Sequence, residues 1–216
     1  WCELGEIYWK IRLIGALIDS FQELFTSSDI DYSLASCDDK SLYVSSRTSK
    51  HGNLILIRNL GEDEKDVKIK IKDYGEKFIR IGRKTAIILP YNLKLPNNWI
   101  LEFSTAQVFY SYELNGRTIL ILYGKEGEEH EVTLVHPFSN EKEDIKFKIK
   151  EKDEFKLILD KFSDLLVVTL NEKRAARTWF VEHIGKKIAI ISGFDLLRNY
   201  EDQENKITAS IDFKKG

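Results

Sequence analysis

The amino-acid sequence predicts a mainly β fold, with one or more antiparallel β-sandwiches preceded by one amphipathic helix. Three features of the 216-residue chain lead to this expectation. Helical periodicity occurs once, near the start, short β-rich runs with turn residues between them fill the chain after Asp39, and an Asn-Gly pair joins two of these runs. Many short strands separated by turn signals are typical of sandwiches and barrels.

The amphipathic helix is predicted over Ile7 to Phe25. Its apolar residues recur at alternating spacings of four and three, which places them on one helical face. These residues are Ile7, Ile11, Ile14, Ile18, Phe21 and Phe25, and the stripe is widened by Leu13, Leu17 and Leu24. The polar segment Thr26 to Asp39 then has the composition of a linker. We therefore expect residues 1–39 to form a helix and linker and residues 40–216 to form the β-region, with a subdivision near residue 136.

The β-region is rich in β-branched and aromatic residues, and its runs are bounded by Gly, Asn, Asp or Pro. The predicted strands are Ser41–Ser45, Asn53–Arg58, Val67–Ile71, Phe78–Ile81, Thr85–Leu89, Trp99–Phe103, Gln107–Tyr112, Thr118–Tyr123, Glu131–Val135, Ile145–Ile149, Phe155–Leu159, Leu165–Leu170 and Lys187–Ile191. A type I′ hairpin turn at Asn115-Gly116 is expected to pair the strands on either side, because that turn needs positive φ twice. Val67–Lys72 and Lys146–Lys150 alternate apolar residues with lysine, which is typical of edge strands or strands with one exposed face.

Composition excludes several classes of function. The chain has 33 basic and 35 acidic residues, interspersed to a net charge of −2, so no nucleic-acid partner is expected. No apolar run approaches the ~20 residues of a membrane span and no signal-peptide pattern is present, so we expect a cytoplasmic protein with no membrane partner. Cys2 and Cys37 are predicted to be free thiols, because they lack the number and spacing of a disulfide framework or zinc site. The chain contains no methionine, and we expect its numbering to start inside a longer gene product.

The residues that could carry chemistry are scattered. The four histidines, His51, His130, His136 and His183, do not have the spacing of a metal site. The acidic run Gly61–Glu64 is typical of a solvated loop. No serine has the glycine context of a nucleophile elbow, and no pair of carboxylates is specified as a glycosidase acid and nucleophile. We therefore predict no catalytic residue, no metal site and no cofactor in this chain.

Aromatic residues allow two interpretations. Tyr91, Trp99, Tyr110 and Tyr112 could form a platform on which sugar rings stack, as exposed Tyr and Trp do in carbohydrate-binding modules. Aromatic residues at a period of two are also what packed sheets use, and that interpretation is favoured. The exposure of two or more of these rings on one flat face would favour sugar binding.

Several strings resemble the family-thirty-five glycoside hydrolases, which include β-galactosidases and archaeal exo-β-glucosaminidases. The opening Glu3-Leu4-Gly5-Glu6, followed by Tyr8-Trp9-Lys10-Ile11-Arg12, resembles the helix that follows the last strand of that family's catalytic barrel. Ile81–Tyr91 and Ile100–Phe109 resemble the family's β-region after the barrel, with Phe103 and Gln107 in place of the usual tyrosine and glutamate. Leu120–Gly124 with Gly127-Glu128-Glu129, and more weakly Leu165–Val168 with Ala175–Trp179, continue the resemblance in the expected order.

The resemblance implies that the leading helix is left over from an upstream (β/α)8 barrel. It also implies that the two catalytic glutamates lie upstream of Trp1, so neither falls on a position of this chain. The expected partners are the catalytic barrel in cis, a second copy in a homodimer, and the β-linked sugar substrate of the parent enzyme. Two functions follow: a non-catalytic β-sandwich segment of a glycoside hydrolase that packs on the barrel and mediates oligomerisation, or a free-standing carbohydrate-binding or adhesion-type module.

Overall fold

The computed structural model describes residues 6–150, 156–159, 162–183, 186–191, 197–203 and 206–211. The predicted fold class is confirmed, because the chain is mainly β with antiparallel sheets and a long helix near its start. The helices are α1 (Glu6–Ser20), α2 (Gln22–Ser27) and α3 (Glu172–Ala176). The strands are β1 (Asp29–Asp31), β2 (Ala35–Cys37), β3 (Leu42–Ser49), β4 (Gly52–Asn59), β5 (Lys65–Ile71), β6 (Gly75–Ile81), β7 (Thr85–Lys94), β8 (Ile100–Ser104), β9 (Gln107–Leu114), β10 (Arg117–Gly124), β11 (Glu129–Val135), β12 (Lys142–Lys148), β13 (Lys156–Leu159), β14 (Leu165–Asn171), β15 (Thr178–His183), β16 (Lys186–Ile191), β17 (Leu197–Gln203) and β18 (Lys206–Ile211).

Every predicted strand overlaps an observed one, and the structure adds strands that were not predicted. The segment predicted as a linker contains β1 and β2, which pair antiparallel with β3 and β5. Both are only three residues long, too short to show the alternation by which strands are recognised. The strands β17 and β18 and the short helix α3 were also not predicted.

The chain forms two compact units. Unit 1 consists of residues 1–20, 109–129 and 148–216, and unit 2 consists of residues 21–108 and 130–147. These boundaries differ from the predicted ranges 1–39 and 40–216, because residues far apart in sequence pair within each unit. The predicted division into residues 1–39 and 40–216 stays a prediction.

Unit 2 is a sandwich of two sheets. The larger sheet has the strand order β1-β3-β4-β7-β8-β11-β12 and the smaller one the order β2-β5-β6. Their facing side chains share one core, in which Ile55, Ile57 and Phe103 of the larger sheet meet Ile69 and Ile81 of the smaller one. Each of these side chains is almost fully buried, and burying an aliphatic or aromatic side chain of this size contributes about 1.5–3 kcal/mol.

Unit 1 is built on a four-stranded sheet with the order β13-β14-β10-β9. The pair β10 and β14 is parallel, an exception to the predicted antiparallel arrangement. A parallel neighbour requires a crossover connection, and the long chain segment between these two strands provides it. The ribbons β15-β16 and β17-β18 are antiparallel.

The predicted helix over Ile7–Phe25 is two helices. Phe21 separates them with φ −126° and ψ 42°, which is not a helical conformation. The break ends α1 at Ser20 and begins α2 at Gln22. Hydrophobic periodicity continued through the break and therefore did not reveal it.

The predicted hairpin is confirmed. Asn115 and Gly116 have φ of 54° and 76°, as a type I′ turn requires, and β9 and β10 are neighbours in their sheet. The strand β12, in which lysines alternate with apolar residues, lies at a sheet edge. The similar strand β5 is central in its sheet and exposes its lysines on one face. Both arrangements were predicted for this pattern.

Gly52 provides a sharp test of the packing in unit 2. Its φ is +128°, and an added Cβ would lie 2.6 Å from Leu93 Cα and 2.7 Å from the Asn92 backbone oxygen. Gly75 has a similar φ of +108° but open space around its Cβ position. We expect Gly75→Ala to cost about 1–3 kcal/mol from backbone strain and Gly52→Ala to cost about 1–3 kcal/mol more from overpacking. Urea unfolding of the two variants measures the difference, and equal losses would contradict the contact with β7.

A second test concerns the carboxylate of Asp39. Hydrogen bonds from Lys65 Nζ at 2.6 Å and from Ser41 lower the pKa of Asp39 to about 2. Because the folded pKa lies below the ordinary value of about 3.9, the stabilisation is present above pH 4 and is lost as the pH falls toward 2. We expect Asp39→Asn to lower stability at neutral pH and to match the wild type near pH 2. Urea unfolding measured from pH 2 to 7 checks this. The matched control is Asp38→Asn, which removes a neighbouring carboxylate but keeps the ion pair between Lys65 and Asp39.

Candidate functional site

The most unusual surface of unit 1 is a row of exposed isoleucines on α1. Ile7, Ile11, Ile14 and Ile18 are 75%, 62%, 50% and 42% exposed. We call these four residues the isoleucine surface. They lie at spacings of four, three and four, so they form one continuous stripe along the helix.

The other side of α1 is apolar as well and is buried. Leu13 and Leu17 retain at most 5% of their exposure, and Leu13 packs with Phe109, Ile121 and Leu170 of the four-stranded sheet. Each leucine precedes an isoleucine of the surface by one residue, which is a rotation of about 100° around the helix. The predicted single stripe is therefore two stripes, of which the leucine side is covered and the isoleucine side is open.

Polar contacts hold α1 in a fixed orientation. Ser20 Oγ donates to the Ser111 backbone oxygen over 2.9 Å and accepts from the Ser111 backbone nitrogen over 2.8 Å. The Tyr110 hydroxyl donates to the Asp19 carboxylate. These contacts fix the end of α1 against β9, so the isoleucine surface keeps its outward direction.

Arg12 adds a contact at the middle of α1. One guanidinium nitrogen donates to the Thr178 backbone oxygen over 2.9 Å, and the guanidinium lies 3.6 Å from the centre of the Trp179 ring. Burial lowers the pKa of Arg12, although an arginine stays charged at any physiological pH. The cation–π contact therefore joins α1 to β15.

The four aromatic residues predicted as a stacking platform are divided between the two units. Tyr91 and Trp99 belong to unit 2, whereas Tyr110 and Tyr112 belong to unit 1. Trp99 is fully buried and packs edge-on against His136 at 4.9 Å, and Tyr91 and Tyr110 are buried too. Tyr112 is half-buried. Three of the rings are therefore packed in the interior, as the favoured interpretation predicts. Sugar binding by these residues stays a prediction.

The histidines lie apart. His51 pairs with Glu23 at 3.2 Å, His130 contacts Thr105, and His136 accepts backbone hydrogen bonds in its own turn. The side chain of His183 lies outside the described residues. Within the described ranges, no group of three or more His, Cys, Asp and Glu residues could hold a metal ion.

Two smaller predictions can also be compared with the structure. Cys37 is a free thiol, as predicted, whereas Cys2 lies outside the described residues. All four residues of Gly61–Glu64 are exposed, so this acidic run is the solvated loop that was predicted. Among residues 6–150 and the later described ranges, no helix has the length and apolar character to cross a membrane.

Comparison with protein families decides the identity. The family model described as "Beta-galactosidase, domain 2" matches residues 32–183, which is more than half of the chain. The chain belongs to the β-galactosidase domain 2 family. A search of curated proteins finds no match.

The β-galactosidase domain 2 match includes the two positions at which the chain departs from the resembled β-region. Gln107 Oε1 accepts a hydrogen bond from the Ile88 backbone nitrogen over 2.8 Å. A glutamate would present the same acceptor, so the change keeps the contact. Phe103 is fully buried and lies 5.4 Å from the Tyr74 ring, where a tyrosine hydroxyl would need a buried partner.

The isoleucine surface should drive self-association of the isolated chain. Full burial of an isoleucine contributes about 1.5–3 kcal/mol, so several exposed side chains favour a substitute contact. We expect the double variant Ile11→Lys, Ile18→Lys to have a lower apparent mass in light scattering and an unchanged unfolding midpoint.

The matched control is Ile30→Lys with Phe78→Lys, which changes two exposed apolar residues of unit 2. This control should leave the apparent mass unchanged. Unfolding of unit 1 by the α1 variant would show that the isoleucines belong to its core and would contradict the proposed role of the surface.

Proposed function

We propose that the chain is the non-catalytic β-sandwich segment of a family-thirty-five glycoside hydrolase and that it packs on a catalytic barrel of the same polypeptide. The observation that carries the proposal is the match to β-galactosidase domain 2 over residues 32–183. The parent enzyme is proposed to be a β-galactosidase or an exo-β-glucosaminidase acting on β-linked sugars. The finer assignment depends on the resemblance of Ile81–Tyr91 and Ile100–Phe109 to the region after the barrel.

The isoleucine surface supports packing in cis. It belongs to α1, which lies outside the matched range 32–183 and begins before it. We propose that the barrel comes before this domain and that α1, which precedes the matched range, contacts it. Ser20 and Tyr110 hold α1 in a fixed orientation. The isoleucine surface is therefore suited to a permanent contact, because little conformational entropy is lost when a partner covers it.

Hydrolysis is proposed to belong to the barrel alone. Cleavage of a glycosidic bond usually needs two carboxyl groups about 5–5.5 Å or 6.5–9.5 Å apart on either side of the bond. In the resembled family these groups come from barrel strands upstream of Trp1. The proposed contribution of this chain is therefore to the stability of the barrel and, through a second copy, to oligomerisation.

The alternative, a free-standing carbohydrate-binding module, has less support. It needs exposed rings, and Tyr91, Trp99 and Tyr110 are buried. The double-sided apolar helix also has no role in a module that works alone.

The proposal makes a direct prediction about activity. The purified chain should show no measurable turnover of nitrophenyl β-galactoside or nitrophenyl β-glucosaminide, whereas the full-length gene product should hydrolyse one of them. Hydrolysis by the chain that is abolished by changing one of its own Glu or Asp residues would falsify the non-catalytic role.

Packing in cis is tested in the full-length product. We expect Ile11→Lys with Ile18→Lys to lower its thermal midpoint, because the two lysines would place charge in an apolar contact with the barrel. Ile30→Lys with Phe78→Lys should not. Equal midpoints for the two double variants would contradict the assignment of the isoleucine surface to the barrel.

A further inference from the structure

Gly15 lies in the middle of α1, where the helix itself has no need of a glycine. The helix runs without a break from Glu6 to Ser20, and the φ of Gly15 lies outside the left-handed region that favours glycine. Glycine is the least favourable residue in a helix interior apart from proline, because it gains the most backbone freedom on unfolding. Gly15 therefore lowers the stability of α1, and its conformation gives no reason for it.

Packing inside unit 1 does not require this glycine either. Gly15 is exposed, and apart from its chain neighbours and the helix's own backbone, no atom of the described residues lies within 4 Å of the place that an added Cβ would take. At Gly52, by contrast, the backbone of β7 fills that place. A larger side chain at residue 15 would therefore fit the described structure.

The open space beside Gly15 belongs to the isoleucine surface. Residues three and four apart are neighbours on the surface of a helix. Gly15 follows Ile11 by four residues and precedes Ile18 by three, and both isoleucines are exposed, by 62% and 42%. The missing side chain thus leaves a shallow depression between two branched apolar side chains.

A cavity of about 640 Å³ lies elsewhere on α1. Trp9 and Leu13 line it together with Lys125 and residues of α3, and the Arg177 guanidinium lies 5.3 Å from the centre of the Trp9 ring. Gly15 does not belong to its lining. The depression beside Gly15 is therefore a separate feature of the helix.

A depression of this kind is suited to a helix that crosses α1. The axes of two packed helices lie 8–10 Å apart, depending on the size of the side chains at the contact. Small residues at the contact let the two backbones approach closely, as at the glycine-containing crossings of membrane helices. The outside of a (β/α)8 barrel is a ring of helices, so the barrel proposed for the parent enzyme can supply the crossing helix.

We infer that one helix of the catalytic barrel crosses α1 at Gly15, with Ile11 and Ile18 on either side of the crossing. The inference rests on the proposed function and deepens it, because it names the kind of element that the isoleucine surface meets and the residue at which they meet. A closer approach buries more of the two isoleucine side chains, which offsets the unfavourable glycine.

The experiment compares two substitutions in two proteins by thermal unfolding. Gly15→Ala and Gly15→Leu introduce better helix formers, which fit the open space in the isolated 216-residue chain. We expect both to raise the thermal midpoint of the isolated chain. In the full-length gene product, Gly15→Leu should lower the midpoint, because its side chain occupies the place of the crossing helix. The midpoint of the Gly15→Ala product should lie between those of the wild type and Gly15→Leu.

Thr26→Leu is the matched control. It adds a leucine at an exposed position of α2, in unit 2, and should shift the midpoints of the isolated chain and the full-length product in the same direction. Light scattering of the full-length Gly15→Leu product should give the wild-type apparent mass, because the crossing helix belongs to the same polypeptide.

Three outcomes would overturn the inference. They are a full-length product whose midpoint Gly15→Leu leaves unchanged or raises, an isolated chain that Gly15→Leu destabilises, and a lower apparent mass of the full-length Gly15→Leu product, which would place a second copy at Gly15. The proposed function is tested separately by Ile11→Lys with Ile18→Lys. If that variant lowers the full-length midpoint and Gly15→Leu does not, packing on the barrel is supported and the crossing at Gly15 is wrong.

Discussion

Burial of the leucine side of α1 against the four-stranded sheet is the interaction on which the functional surfaces of unit 1 depend. Leu13 reaches the core formed by β9, β10, β14 and α3, and the contacts of Ser20 and Tyr110 fix the rotation of the helix about its axis. With that rotation set, the isoleucines face outward. Trp9, one turn before Leu13, faces the cavity.

The sandwich of unit 2 illustrates a simpler rule, in which alternation along each strand sends apolar side chains inward and charged ones outward. In β5, Val67, Ile69 and Ile71 are buried while Lys70 is exposed. This alternation also explains why Phe103 is tolerated in place of tyrosine. The position lies in the dry interior, where a hydroxyl group gains nothing without a partner.

The match to β-galactosidase domain 2 indicates a non-catalytic accessory domain, and we propose that it acts by contact with the rest of the enzyme. The family match, the rigid apolar stripe and the buried aromatic residues agree in this respect. Acidic residues such as Glu62 and Glu64 lie on exposed loops and pair with nearby Lys84 and Arg80, an arrangement typical of a solvated surface. The cavity beside Trp9 differs, because charged side chains line it together with the buried residues Leu13 and Ala176.

The sequence by itself determined the fold class, the strands with clear alternation and the Asn115-Gly116 hairpin, because these depend on local periodicity and turn chemistry. It also indicated that the leading helix carries an apolar stripe. Only the tertiary structure decided which side of α1 is covered, because Leu13 and Ile14 are equally apolar and their partners are far away in sequence. Contacts between residues far apart in sequence also decide the parallel pairing of β10 with β14 and the burial of Trp99. They likewise form the cavity that Trp9 and Lys125 line.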